Sequence, residues 1–111
     1  MSQHDARTEP RKLGLLCCLV IGLGLSSTGC AGVVYAYKAN TAASRIESAK
    51  TMRAEEYAEY EYFYAKAHLL KAQEEAAEAS YSDAIELADV AADYAQKAID
   101  LASSAHRGAG R

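Results

Sequence analysis

Ala79-Ser80-Tyr81-Ser82-Asp83 stands between two alanine-rich stretches in which apolar residues return at intervals of three and four, and its reading decides how the chain folds. Serine and aspartate bond to nearby backbone groups and so favour helix starts over helix interiors. Ser80 followed by Asp83, or Asp83 followed by Glu86, has the spacing of a capping box. A turn is therefore expected near residues 79–82. The helix after it runs to about Ser104, where His106, Arg107 and Gly108 supply a basic last turn and a stop.

That last helix is apolar over more than half its circumference. Tyr81, Ala84, Ile85, Ala88, Ala92, Ala95, Ile99 and Ala102 form one stripe, and Leu87, Val90, Ala91, Tyr94, Ala98 and Leu101 widen it. Glu86, Asp89, Asp93, Gln96 and Asp100 make a narrow polar face. So wide a stripe calls for two helices of its own chain, or one helix and a partner.

Upstream, a helix from about Glu55 to Ala79 carries Ala58, Tyr62, Ala65, Leu69, Ala72, Ala76 and Ala79 as a continuous seam. Tyr57, Tyr60 and Tyr64 lie on another face, flanked by Phe63, Ala67 and Leu70, and further along that face becomes Lys71, Glu74 and Glu78. The segment Ala39 to Met52, with Ala42, Ala43, Ile46 and Ala49 at helical spacing, is the expected cover for the tyrosine half, if the chain turns back near Thr51 to Glu56. No glycine lies between Gly32 and Gly108 to mark that turn. A single helix from about Lys38 to Ala79, reaching ~60 Å at 1.5 Å per residue, is the alternative. The expected fold class is all-α: a signal or anchor helix, then a small two- to three-helix antiparallel bundle.

The first third of the chain differs from the rest. No charged residue occurs from Leu13 to Tyr37, and charges recur every few positions from Lys38 onward within a net charge of −3. Arg7, Arg11 and Lys12 precede the apolar run Leu13 to Leu25, which is the layout of a secretory signal peptide. Ser26, Ser27, Thr28 and Gly29 then lead to Cys30. This end resembles the lipobox of bacterial lipoproteins, although Ser27 stands where that motif usually has an aliphatic residue. The resemblance implies cleavage after Gly29 and a lipid on Cys30, with no other cofactor. Acyl chains contribute about 0.8 kcal/mol per buried CH₂, and two or more make a stable anchor. The alternative is an uncleaved helix, since residues 13–37 could span ~30 Å of hydrocarbon. Gly22, Gly24, Ser26, Ser27, Thr28, Gly29 and Gly32 interrupt that span. The positive flank places the residues after Cys30 across the membrane in both cases. Ala31 and Gly32 follow the cysteine; in the sorting rule of enteric bacteria their lack of aspartate implies the outer membrane, on the periplasmic side.

The expected organisation is thus a signal peptide over 1–29, a lipidated tether over 30–38, an alanine- and tyrosine-rich helical bundle over 39–105 and a flexible tail over 106–111. Tyr60 to Ala72, followed by Ser80 to Ala88, resembles small envelope lipoproteins of Gram-negative bacteria with an alanine-rich helical domain (domain of unknown function 4398). Ser80-Tyr81-Ser82-Asp83-Ala84-Ile85 also looks like the inter-helix turn of a tetratricopeptide repeat, but one hairpin makes no solenoid. The domain of those lipoproteins is uncharacterised; the lipobox-like end, together with a last helix that has more apolar surface than a lone hairpin can bury, leads to the expectation of a structural or protein-interaction role in the cell envelope.

Little in the sequence points to chemistry. No cysteine follows Cys30, which excludes a disulfide framework and thiol-ligated zinc for the helical part. Glu61, His68 and Glu75 share a face at intervals of seven, too far apart to chelate one metal within the chain. No phosphate loop or nucleophile motif appears after Cys30, and the acidic balance argues against nucleic acid. No enzyme, metal or small-molecule substrate is expected. The candidate packing or partner surface is Tyr57, Tyr60, Tyr64, Leu87, Val90, Tyr94 and Leu101, with core packing, a protein partner or a ligand such as a glycan as its possible uses. The expected partners are the lipid bilayer and either a second copy or another envelope protein. The alternative is a single-span inner-membrane adaptor.

Overall fold

The structure, a computed structural model, describes residues 26–110, and the signal or anchor helix expected upstream lies outside them. Among the described residues the chain is 91% helical and without strands. It divides into two units, Met1–Cys30 and Ala31–Arg111. Among the described residues four helices follow one another: α1 over Ser26–Thr51, a single turn α2 over Ala54–Tyr57, α3 over Glu59–Ala77 and α4 over Tyr81–Ala109.

The alternative of one helix from Lys38 to Ala79 is excluded by two interruptions. Arg53 adopts a left-handed conformation with φ of 57°, and its amide closes on the Lys50 carbonyl at 2.9 Å, ending α1. Ala58, at φ −146° and ψ 51°, then separates α2 from α3. Neither break uses glycine or proline. Residues 30–38, expected as a tether, are instead part of α1.

Ala79 forms the second reversal with φ of 62°. The Ser80 amide bonds to the Glu75 carbonyl at 2.9 Å and the Ala79 amide to Ala76 at 3.0 Å. These are the two bonds of a Schellman motif, with alanine in the place glycine usually takes. The expected capping box is not formed. Ser80 does occupy the N-cap of α4, but its ψ of 60° lies outside the extended region that aims a capping oxygen, and its side chain makes no capping bond. The backbone serves instead, the Ser80 carbonyl accepting from Ala84 at 3.0 Å. Helix α4 also passes the expected stop at Ser104, so residues 106–109 are its last turn and not a tail.

The core is made of alanine. Ala42, Ala49, Ala54, Ala65, Ala72, Ala84, Ala88, Ala91, Ala95, Ala98 and Ala102 have no exposed surface. The largest buried side chain is Tyr62, which packs with Ala49, Ala54, Ala58, Ala98 and Ala102, with Ile46, Met52 and Ile99 against the same cluster. A second cluster joins Ala42, Ala91, Ala92 and Leu69. Alanine on every facing surface lets backbones approach closely but removes little apolar area from water, at about 25 cal/mol per Å². Stability then depends on fit over a long contact.

Polar contacts fix α1 beside α4. Lys38 pairs with Asp89 at 2.8 Å, and Arg45 donates to the Ala92 carbonyl at 3.2 Å. Gly32 lies under the Tyr81 ring, where an added Cβ would sit 3.7 Å from its carbons. The face of α1 bearing Ala42, Ile46 and Ala49 therefore meets Tyr62, Leu69 and α4. It does not cover Tyr57 and Tyr60, which are 42% and 64% exposed. The expected cover is corrected: α1 takes the Tyr62 side of α3, because that side and the α4 stripe together bury Ala42 and Ala49, while Ala43 stays exposed.

Candidate functional site

Tyr60 and Tyr64 of α3 meet α4 through Tyr94. The rings of Tyr64 and Tyr94 lie 4.2 Å apart between centroids, and Tyr60 approaches Tyr64 at 5.4 Å and Tyr94 edge-on at 6.3 Å. Helical spacing explains the set, since Tyr60 and Tyr64 are four residues apart on α3 and project to one side. His68, four residues further on, stacks on Tyr64 at 4.0 Å while its Nδ1 donates to the Tyr64 carbonyl at 3.0 Å. Lys97 Nζ sits 4.3 Å from the centre of the Tyr94 ring, close enough for attraction to its π-face.

Beside this cluster is an open depression of about 390 Å³, lined by Glu59, Tyr60, Phe63 and Tyr64. The Tyr60 hydroxyl holds its proton above the ordinary tyrosine value, first because its surroundings are partly dehydrated and then because Tyr94, Tyr64 and Glu61 lie near. Lys71, further along α3, is also raised, by its hydrogen bonds to Glu75 and Glu74.

The remaining candidates spread out. Leu87 and Val90 are half-buried on α4, Leu101 is 45% exposed, and Tyr57 stands at the end of α2 with its ring edge-on to His106 at 4.8 Å. Cys30 and Gly29 are exposed in α1, and Cys30 is a free thiol. The structure thus brings together Tyr60, Tyr64 and Tyr94 of the candidate surface. His68, Lys97 and Phe63 join them; the spacings Tyr64 to His68 and Tyr94 to Lys97 carried that signal in the sequence.

An aromatic surface of this kind can stack on or pack against a partner. Among the described residues no buried charged or polar side chain stands behind it. Among the described residues no group of three or more histidine, cysteine, aspartate or glutamate side chains could hold a metal ion, and no helix is long and apolar enough to cross a membrane. No family model, curated protein or solved structure matches the chain.

Proposed function

We propose that this protein is a non-enzymatic, periplasm-facing outer-membrane lipoprotein, anchored by a lipid on Cys30, whose antiparallel helical bundle serves protein interaction in the cell envelope. The supporting observation is the division of the chain at Cys30: Ala31–Arg111 is a unit of its own, and Cys30 is exposed at its border. Cleavage before Cys30 would leave that unit whole. The signal-like run, the lipobox resemblance and the Ala31-Gly32 pair supply the location; the α3–α4 reversal with its tetratricopeptide-like turn supplies a scaffold. The exposed Tyr60, Phe63 and Leu70 give it an apolar surface for a second copy or another envelope protein.

The test is the intact mass, after membrane extraction, of wild type and Cys30→Ala. A wild-type mass equal to residues 30–111 plus acyl groups, lost in the variant, is the expected result. A full-length unmodified mass in both would overturn it in favour of the single-span inner-membrane adaptor. One observation favours that second reading: α1 runs through residues 26–30 without a break. Crosslinking in cells that found neither self-contacts nor envelope partners would remove the interaction role.

A further inference from the structure

We propose that Val33, Val34 and Tyr37 form a lipid-contacting patch, seated in the headgroup layer of the bilayer to which the N-terminal segment attaches the chain. This rests on membrane attachment, in either its lipidated or its spanning form.

The patch is defined by what the rest of α1 does. The inward face of this helix is accounted for residue by residue: Gly32 and Tyr35 against Tyr81, Lys38 on Asp89, Ala42 buried, Arg45 on the Ala92 carbonyl, Ala49 buried. The outward face holds Val33, Val34 and Tyr37 first, exposed by 70%, 45% and 70%. Spacings of three and four join them on one side. After Tyr37 the outward positions become Asn40, Ser44, Glu47, Ser48 and Thr51, all polar and exposed, with the small Ala43 the one apolar side chain exposed among them. Among the described residues the other helices lie on the opposite side, so this apolar outer face, which stops after two turns, packs on none of them.

The position of the patch identifies its occupant. Val33 follows Cys30, the residue that would carry the lipid, by three positions, and Val33, Val34 and Tyr37 are the last large apolar side chains exposed in the uncharged run from Leu13 to Tyr37. At 1.5 Å per residue, Val33 is about 5 Å and Tyr37 about 10 Å beyond Cys30 along the helix. A headgroup layer is about 5–8 Å thick on each side of the hydrocarbon, so Val33 and Val34 fall within it and a tilt of α1 by about 40° brings Tyr37 to its outer edge. Valine gains from leaving water there, and tyrosine places its ring in the apolar boundary with its hydroxyl in the wet layer. The next residue, Lys38, is held by Asp89 and opens the charged surface. Tyr81 abuts Gly32, so the α3–α4 reversal lies at the same end of the unit, with Glu78 and Asp83 on either side of it. Those carboxylates favour a zwitterionic over an anionic surface.

The full chain, extracted and reconstituted in phosphatidylcholine vesicles, tests this. Val33→Cys, Val34→Cys, Tyr37→Cys and the control Ser44→Cys, in a Cys17→Ser, Cys18→Ser background, each carry an environment-sensitive fluorophore. Quenching is read with aqueous iodide and with a nitroxide on the lipid headgroup, and the mass of residue 30 is read on the same samples. The expected result is several-fold protection from iodide at 33, 34 and 37 relative to 44, with quenching by the lipid nitroxide. Iodide access equal to that at 44 overturns the patch, even where the mass shows an acylated Cys30. Protection from iodide without lipid quenching means that a second copy or another protein covers the patch, which also overturns it. Where the mass shows an unmodified chain the labelling is repeated with Cys30→Ser, so that residue 30 carries no fluorophore; lipid quenching then sustains the patch while refuting lipidation, and a chain that fails to float with the vesicles refutes both.

Discussion

His106 Nε2 donates a hydrogen bond to the Met52 carbonyl across 2.8 Å, fastening the last turn of α4 to the break that ends α1. The carbonyl is one of those a helix leaves without an internal partner at its C-terminus. The same imidazole meets the edge of Tyr57, so one side chain joins α1, α2 and α4.

Replacing His106 by alanine should therefore cost about 0.5–1.5 kcal/mol, the net value of an ordinary hydrogen bond. Urea denaturation measures the loss. Amide exchange should quicken at residues 103–109 and at 52–57 together; quickening in α4 alone would show that the contact does not hold the break.

Ala79 carries a left-handed backbone that alanine adopts at a cost and glycine adopts freely. Ala79→Gly should raise stability by about 1 kcal/mol, because its side chain is exposed and nothing is lost from the core. Arg53 is also left-handed, but Arg53→Gly removes its ion pair with Glu56 and its contact with the Tyr57 ring. A smaller gain is expected there. Equal gains in thermal melts would mean that the Arg53 contacts contribute nothing.

These two reversals also mark the limit of what the residues reveal. The alanine period from Ala84 to Ala102 and the seam from Ala58 to Ala72 were readable because burial at intervals of three and four leaves only one face for a core. The reversals themselves carry no glycine: Arg53 and Ala79 are put into left-handed geometry by the packing of the helices they join, a tertiary cause absent from local composition. The Tyr62 and Tyr60 faces of α3 were both visible in the pattern. Which of them α1 would take was not, since a pattern names apolar faces without naming their neighbours. The same holds for the site. Tyr60, Tyr64 and Tyr94 could be nominated singly, but their meeting depends on the register that the Ala79 reversal imposes.

Tyr60 provides a pH dependence with a definite sign. Its proton is held more tightly in the folded chain than in the unfolded one, so its contribution is complete below the ordinary tyrosine value near 10 and is lost as pH rises through the elevated folded value. Phenolate absorbance of wild type and Tyr60→Phe should differ by a late-ionising step that the variant lacks, and the variant should show a weaker alkaline loss of stability. Because Tyr60 is largely exposed, the change is small, and an unchanged alkaline profile in the variant would locate the loss elsewhere.

The closest test of the alanine core is to enlarge it. Ala88 and Ala95 lie on α4 with no exposed surface, where a longer side chain has no room without moving a neighbouring helix. Ala88→Leu and Ala95→Leu should each destabilise by about 1–3 kcal/mol, although leucine is more hydrophobic and ranks close behind alanine as a helix former. Ala67→Leu is the control: position 67 is exposed on α3, and the change there should stay within about 0.5 kcal/mol. Equilibrium melts of the three variants separate the two explanations of so much alanine. A large penalty at 88 and 95 with none at 67 means that close helix approach selects the residue. Uniformly small effects would mean that the helices are loosely held, and that alanine is present for helix propensity alone.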